Sequence, residues 1–575
     1  MANFNTDNAD IRFCLEQLDL DQLVALREGD FSEAKTYDFA PRSTAEAKRQ
    51  YNAVLDLAGL ICAEFVAPRA KAIDVEGNRL QEGEVILHPN LRAGIAVLRD
   101  AGLMGLATVR EYGGLNLPQP IKNAVIEIVS RADASLMNIV GLQDIAETIE
   151  EYGDATVKQD TLPRLTSGED TAAMVLTEPD AGSDLQAVRL RAEPVDEAKG
   201  LWKLSGSKRF ITNGCGEVLL VLAKSEADVP GARGLSVFLV RKGEGVRIRR
   251  IEEKLGIHGS PTCEIQFNNA PGILIGPRKR GLIDVAMHIM NGARLGIAAQ
   301  ALGIAEAAER AARDYARARE QFGKAIRKFP AVYEMMASSR IEIEAARALT
   351  YRAAFVVEQF HATAHKAEAG DAVAKTKVKD LSRLAGVLTP LAKYYATEMS
   401  NRVADRAIQV LGGSGYMKDY PVERHFRDAR ITNIYEGTSQ LQVIGAIGGV
   451  RSGVLRRHVD ALLAEATANE TVTAKAGDLL QEVRNLLPLW ENAVAAMEKQ
   501  DTETAELFAR PMVDLALDIY LGLLLAIQAG SGQERKRAVA EGWFSEARHR
   551  ARERAARIVE GSRTLVERNG LIIDG

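Results

Sequence analysis

The sequence predicts a mainly α protein with a central β-domain, in the order helical N-terminal domain, antiparallel β-barrel or sandwich, helical bundle, and additional C-terminal helical domain. Three observations predict it. The 575 residues exceed what one hydrophobic core organises, so several packed units are expected. Apolar residues recur at helical spacing over most of the chain, as in the stripe of Ile304, Ala308, Ala311 and Tyr315. Between Thr171 and about Ile275 the pattern changes to short β-rich runs, among them Val218-Leu219-Leu220-Val221-Leu222, Leu235-Ser236-Val237-Phe238-Leu239-Val240 and Cys263-Glu264-Ile265-Gln266-Phe267, separated by Gly, Asn, Pro and Asp.

Residues 1–44 mix short apolar pieces such as Ile11-Arg12-Phe13-Cys14-Leu15 with polar ones and suit an N-terminal docking arm. Residues 45–170 read as a helical domain broken by Gly113-Gly114, Pro118 and Pro120, residues 171–280 as the middle β-domain, and residues 281–449 as the helical bundle. The remaining residues, 450–575, keep helical periodicity: Leu455, Val459 and Leu462 make one stripe, and Val483, Leu487, Trp490, Val494 and Met497 another, with a kink or interruption expected at Pro488. A last helix is expected over about Val539–Glu567, where Arg is nearly matched by Glu at helical spacing, the mark of a solvated, salt-bridged face.

Composition excludes several classes of function. A net charge of -5 argues against a surface dominated by nucleic acid or anionic membrane. The apolar run Leu515–Ile527 is interrupted by Asp518 and shorter than the roughly 20 residues of a membrane helix, so it reads as a core helix and no membrane span is expected. Cys14, Cys62, Cys215 and Cys263 are too scattered for a metal site or a disulfide framework. With no signal-peptide pattern in Met1–Asp10, a reducing, cytoplasmic home follows. The order of helices, strands, helices is not a βαβ alternation, and Gly412-Gly413-Ser414-Gly415 lacks the spacing of a dinucleotide-binding loop.

The chemistry is concentrated in Asn433-Ile434-Tyr435-Glu436-Gly437-Thr438-Ser439-Gln440. Glu436 stands between an aromatic ring and a glycine. Burial against a ring raises a carboxylate's pKa towards neutrality, which suits a general base that lifts a proton from carbon. In isolation the pair would be an ordinary helix end; the neighbouring stretches Leu411-Gly412-Gly413-Ser414-Gly415-Tyr416, Tyr420-Pro421-Val422-Glu423-Arg424 and Arg427-Asp428-Ala429-Arg430 give it context. Four further stretches join them: Met174 to Asp184, where a strand ends in Thr177 and turns through Pro179 and Gly182; Gly206 to Gly214, with Phe210 and Thr212 at a strand edge; Met290-Asn291-Gly292-Ala293-Arg294; and Arg317 to Lys324, a basic helix end.

In their order and spacing these stretches resemble the acyl-CoA dehydrogenases, over most of residues 45–450. The arm and the helices after Gly449 resemble a long subgroup that includes 3-methylthiopropanoyl-CoA dehydrogenases. The resemblance implies FAD as cofactor, contacted by Leu176, Thr177, Phe210, Thr212, Arg319, Gln321, Phe322, Gln409, Gly412, Gly413, Thr438 and Gln440, with Arg319 and Gln409 reaching the FAD of a neighbouring subunit. It implies Ser183, Asn291, Arg294 and Gly437 as contacts to acyl-CoA and Glu436 as catalytic base. Some branches place the base immediately before the equivalent of Arg294; this chain has Ala293 there, which favours Glu436. Phe210 replaces a common Trp and keeps the stacking face without the indole donor, and Phe329-Pro330 stands where relatives often carry an amide side chain. The implied reaction is α,β-dehydrogenation of an acyl-CoA to a trans-2-enoyl-CoA in fatty-acid metabolism, with electrons passing to an electron-transfer flavoprotein. An acyl-CoA oxidase using oxygen, or a nucleic-acid-associated alkylation-response relative, are the alternatives; the charge balance after Val539 argues against the second. Met137 falls where glutaryl-CoA enzymes carry an Arg, which disfavours a dicarboxylic substrate, and the extra helical domain is expected to leave a homodimer.

Overall fold

Seven strands between Ala172 and Ile275 divide two helical regions in the computed structural model, which describes residues 1–575. They are β1 (Ala172–Val175), β2 (Arg191–Asp196), β3 (Leu201–Thr212), β4 (Val218–Lys224), β5 (Leu235–Arg241), β6 (Val246–Ile251) and β7 (Thr262–Ile275). The apolar runs β4 and β5 are buried almost end to end because both of their faces are covered. Antiparallel pairing runs from β4 to β5, β5 to β7, β7 to β3 and β3 to β2. The ring closes where Arg191 of β2 meets Lys224 of β4, leaving a barrel with β1 and β6 attached at its margins.

The barrel is not wholly antiparallel, which corrects the sequence expectation. β1 runs parallel to β4, and so does the closing contact of β2. Apolar alternation encodes which face of a strand is buried and not the direction of its partner. β1 returns to β4 only after β2 and β3, a crossover long enough for parallel pairing.

Before the barrel lie α1 (Ala9–Glu16), α2 (Leu20–Glu28), α3 (Thr44–Ile61), α4 (Gln119–Ala132) and α5 (Ala134–Leu142). After it come α6 (Met287–Ala318), α7 (Pro330–Glu368), α8 (Ala372–Leu411), α9 (Val422–Thr432) and α10 (Ser439–Arg451). Pro330 opens α7, where its missing N–H costs nothing. The Asp371 side chain caps α8 by accepting from the N–H groups of Val373 and Ala374.

The tail forms α11 (Val454–Ala468), α12 (Glu470–Met497), α13 (Ala509–Ala529), α14 (Glu534–Glu560) and α15 (Thr564–Asp574). Two details differ from the sequence expectation. α12 runs through Pro488 and departs from helical geometry at Ala476 instead (φ -141°, ψ 17°), because Leu486, Leu487 and Trp490 are buried and hold the chain around the proline. The last helix divides: Gly561 takes a left-handed conformation (φ +60°) that ends α14 before α15 begins. α13 has the length and apolarity of a membrane helix, but 89% of its most apolar window is buried inside the protein. Leu388 and Leu391 of α8, Leu480 of α12, Tyr520 of α13 and Phe544 of α14 belong to one continuous apolar cluster, so the tail shares its core with the bundle.

A buried set of charges crosses all the helical layers. Arg347 of α7, fully buried, reaches Glu127 of α4 at 2.7 Å and Glu306 of α6 at 3.0 Å, and Tyr351 donates to Glu127 at 2.8 Å. Arg340 joins Glu306 at 2.9 Å and approaches Asp10 of α1 at 3.7 Å. Lys536 of α14 then bridges Asp10 at 2.7 Å and Glu344 of α7 at 2.8 Å. Burial alone would raise the Glu306 carboxyl, but Arg340, Arg347 and Arg310 outweigh it and hold it well below the usual carboxylate range. A carboxyl so depressed stabilises the fold above its unfolded-state pKa and loses that contribution as pH falls. Arg347→Leu should destabilise the protein by about 3–5 kcal/mol, since it leaves the buried Glu127 without its cation, while Glu306 keeps Arg340 and Arg310. Denaturant unfolding at pH 7.5 checks this, and a loss under about 1 kcal/mol, the scale of an exposed pair, would contradict it.

Candidate functional site

Glu436 sits in the loop between α9 and α10 with a left-handed backbone, φ +55°. Ten non-glycine residues share a positive φ, and Phe210 (φ +62°) and Phe322 (φ +50°), both singled out in the sequence, are among them. Such conformations persist only where the surroundings hold them, and they collect at functional sites. Two side chains hold this one. Lys393 of α8, fully buried, donates through Nζ to the carbonyl of Tyr435 at 2.6 Å and to that of Gly437. Gln442 Nε2 donates to the carbonyls of Glu436 at 3.1 Å and Gly437 at 3.0 Å. Position 437 favours glycine strongly: its φ is +89°, and a Cβ would stand 2.7 Å from Gln442 Nε2. Thr438 caps α10 by accepting from the N–H of Leu441 at 3.4 Å.

The Glu436 side chain lines a cavity of about 60 Å³ together with Met137, Gly141, Asp144, Met174, Thr212, Ile289, Ala293 and Tyr435. Three layers meet there: α5 before the barrel, the edge of the barrel, and α6 after it. Burial pushes the Glu436 carboxyl above its ordinary value, and the positive charges of Lys393 and Arg294 oppose the rise without cancelling it. The same burial brings Lys393 down to about 7 against the attraction of Glu436. Tyr435 is fixed by its hydroxyl, which donates to Gln300; Gln300 in turn donates to Asn138 at 2.9 Å and to the Ala134 carbonyl at 3.0 Å. Arg294 donates to Asn291 at 2.9 Å, while its buried Nε has no partner. Met137 folds its methyl against Gly141, leaving only 2.9 Å to a Cβ built there.

The other sequence-predicted positions form two groups. At the barrel edge, Lys208 of β3, fully buried, donates to the Leu176 carbonyl at 2.7 Å and pairs with Glu178 at 3.0 Å, while the N–H of Arg209 donates to the Thr177 carbonyl at 3.0 Å. The turn after β1 is thereby tied to the strand that carries Phe210, 51% exposed, and Thr212. Ser183 is exposed farther along the same turn. In the second group, Arg319, Gln321 and Phe322 lie on a small hairpin (Glu320–Gln321 with Lys324–Ala325) at the end of α6, and Gln409, Gly412 and Gly413 at the end of α8. Tyr315 donates to Ser414 at 3.2 Å and joins these two helix ends. All six are exposed, Phe322 at 93%, and no hydrogen bond links them to the Glu436 cavity within the chain. Gln440 is exposed at the start of α10.

These features fit a long, flat, phosphorylated cofactor. Phe210 and Phe322 are exposed, the Phe210 ring lying under the Arg209 guanidinium at 4.6 Å, and Gly412 and Gly413 have nothing within 4 Å of where a Cβ would stand, so backbone and aromatic surface are open to a ligand. Sequence reasoning missed Lys393, Gln442, Gln300, Asn138 and Lys208. Only Lys393 carried a signal, a lone cation after the apolar run Val387-Leu388-Thr389-Pro390-Leu391-Ala392.

Three family models match the chain: acyl-CoA dehydrogenase N-terminal domain over residues 49–169, middle domain over 173–270, and C-terminal domain over 280–447. The 3-methylmercaptopropionyl-CoA dehydrogenase of Ruegeria pomeroyi is 32% identical over 510 residues, 83% of this chain and 84% of that protein. Butyryl-CoA dehydrogenase from Megasphaera elsdenii is 30% identical with a TM-score of 0.59, covering 70% of this chain and 98% of that one. The acyl-CoA dehydrogenase complexed with FAD from Bacillus anthracis is 23% identical, and the likeness is one of fold: its TM-score of 0.73 covers 89% of this chain and 88% of that one. The longer coverage extends the shared fold beyond the three matched domains.

Proposed function

The chain belongs to the acyl-CoA dehydrogenase family, and we propose that it removes the Cα proton and a Cβ hydride from an acyl-CoA thioester with Glu436 as base, giving a trans-2-enoyl-CoA. The observation that carries the reading is the carboxylate of Glu436, raised by burial, on the wall of a cavity whose alternative base position is Ala293. The family's cofactor is FAD, which when bound supplies the acceptor for the hydride. Thr212 and Phe210 would lie against its ring system, with Leu176 and Thr177 on the adjoining turn. Arg319, Gln321, Phe322, Gln409, Gly412, Gly413, Thr438 and Gln440 complete the set proposed to hold it.

Proton removal requires the thioester carbonyl to be polarised and the base to be ionised. The N–H of Glu436 makes no hydrogen bond within the chain and is free to donate to that carbonyl. Burial raises the Glu436 carboxyl, and Lys393 and Arg294 oppose that rise and so favour the ionised form the base must reach. Asn291, Arg294, Gly437 and, at the outer turn, Ser183 are the proposed contacts to CoA and thioester. The unpartnered Nε of Arg294 supports its place in that set.

The acyl end of the cavity is apolar, with Ile126, Met137, Leu142, Ile145 and Ile297, and Asp144 on its wall is paired with Lys122 at 3.0 Å. A carboxylate at the far end of the substrate would meet no arginine there, so a short apolar or thioether acyl group is the proposed substrate class; a flexible Met wall accommodates either. Electrons would pass to an electron-transfer flavoprotein. Four thiols without a disulfide support the cytoplasm as the compartment. The exposed second group of residues supports a homodimer in which another copy covers it and shares FAD with Arg319 and Gln409.

Anaerobic titration of the purified protein with a panel of acyl-CoAs tests the reaction, and absence of flavin bleaching by any of them would reject it. Glu436→Gln should retain FAD and bind acyl-CoA yet lose flavin reduction by at least about a hundredfold, because an amide cannot accept the proton. In Lys393→Met the base loses a neighbouring positive charge, so the acid limb of flavin reduction should move to higher pH; a limb that stays in place or moves down would show that Lys393 does not act on Glu436. Arg319→Ala should release FAD on dialysis and lower the melting temperature in a manner restored by added FAD, with light scattering showing a dimer for the parent protein. Full FAD retention would refute the contact, and a tetramer the assembly.

A further inference from the structure

The loop that carries Glu436 is gripped at both ends by one carboxylate. Glu398 of α8 accepts through Oε1 from Asn433 Nδ2 at 3.1 Å and from the Ser439 hydroxyl, and the N–H of Ser439 closes the loop on the Asn433 carbonyl at 3.1 Å. Its other oxygen, Oε2, accepts from Arg510 Nη2 at 3.1 Å. Arg510 is the second residue of α13, in the tail that lies beyond the three matched domains. Its guanidinium is fixed a second time: Nε donates to the Tyr394 hydroxyl at 2.9 Å, and that hydroxyl donates to Asp514 at 2.8 Å. Tyr394 follows Lys393, which holds the carbonyls on either side of Glu436. One turn and a half of α8 thus faces the catalytic loop on one side and the tail on the other.

We propose that Arg510 is a positioning residue for Glu436, acting through Glu398, so that the C-terminal helices take part in orienting the base. The inference rests on Glu436 being that base. Arg510 is half exposed, so its pairing with Glu398 adds little to stability as an ion pair. Its effect is directional: with both oxygens engaged, Glu398 has one orientation, and both ends of the loop are referred to it. Without Arg510 the carboxylate is free to turn to solvent on the tail side and to release Asn433 or Ser439. Glu436 would then relax from its left-handed backbone, which the loop closure maintains.

The test compares Arg510→Ala, Arg510→Lys and Glu398→Gln with Arg550→Gln, a control in the same seam whose partner is Asp518 and which does not touch Glu398. Amide hydrogen exchange of the full-length, FAD-loaded protein should quicken over residues 433–439 in Arg510→Ala and not in the control. Flavin reduction by a saturating acyl-CoA should fall on the order of 10- to 100-fold in Arg510→Ala, the scale of a displaced catalytic group, with KM and FAD content little changed. Arg510→Lys keeps one donor and should recover part of the rate. Adding Arg510→Ala to Glu398→Gln should cost little more than Glu398→Gln alone. Parent-like exchange and rate in Arg510→Ala, equal effects in Arg550→Gln, or full additivity would each overturn the proposal. If no acyl-CoA reduces the parent protein, the dehydrogenase reading fails, while the exchange data still decide whether Arg510 holds the loop.

Discussion

Arg347 is the interaction on which the helical architecture turns. A guanidinium with no exposed surface is costly to desolvate, and it is tolerable here only because Glu127 and Glu306 approach it from two other helices. The same requirement propagates outward: Glu306 needs Arg340 and Arg310, Asp10 needs Lys536 and Arg535, and Lys536 needs Glu344. Apolar packing could be satisfied by several registers of smooth helices. Charges that must all be met at hydrogen-bond distance admit far fewer, so the network specifies how the arm, α4, α6, α7 and α14 stack.

That rigidity matters because the candidate base is held in a conformation the backbone does not favour. A left-handed non-glycine residue costs on the order of 1–3 kcal/mol, comparable to what one or two hydrogen bonds to a charged group return. Lys393 supplies two such bonds to the flanking carbonyls, and Gln442 adds two neutral ones. The scaffold therefore has the means to keep Glu436 strained, provided α8 does not move. α8 is fixed by the core it shares with the tail, which links the stacking of distant helices to the orientation of one carboxylate.

Much of this is legible in the sequence, and the gaps have physical reasons. Periodicity locates the strands and the long helices, and the charge inside Leu515–Ile527 marks it as the buried helix it proves to be. The direction of β1 is not legible, because pairing direction depends on where the chain returns. The helix is not interrupted at Pro488 because a proline removes one helical hydrogen bond, a local cost that the burial of Leu487 and Trp490 overrides. At the site, Glu436, Thr212, Asn291 and Arg294 can be named from ordered motifs. Lys393, Gln442 and Glu398 cannot be assigned roles that way, since each acts on backbone or side chains of a loop 35 or more residues away, or within its own turn, and nothing in residue type announces such a partner.

Ala293 and Glu436 line the same cavity, one from a helix and one from a loop, so the two candidate base positions face one volume. A second carboxylate at 293 would share a small, poorly solvated volume with the first, and like charges at such range cannot both ionise near neutral pH. Helix α6 offers position 293 an ordinary backbone; the loop offers position 436 only a left-handed one. Placing the proposed base on the loop would transfer its support from helical hydrogen bonds to side chains of α8 and, through the Glu398 contacts, to Arg510 of α13. In this chain the strained option is combined with a tail that packs against the very helix on which the loop depends.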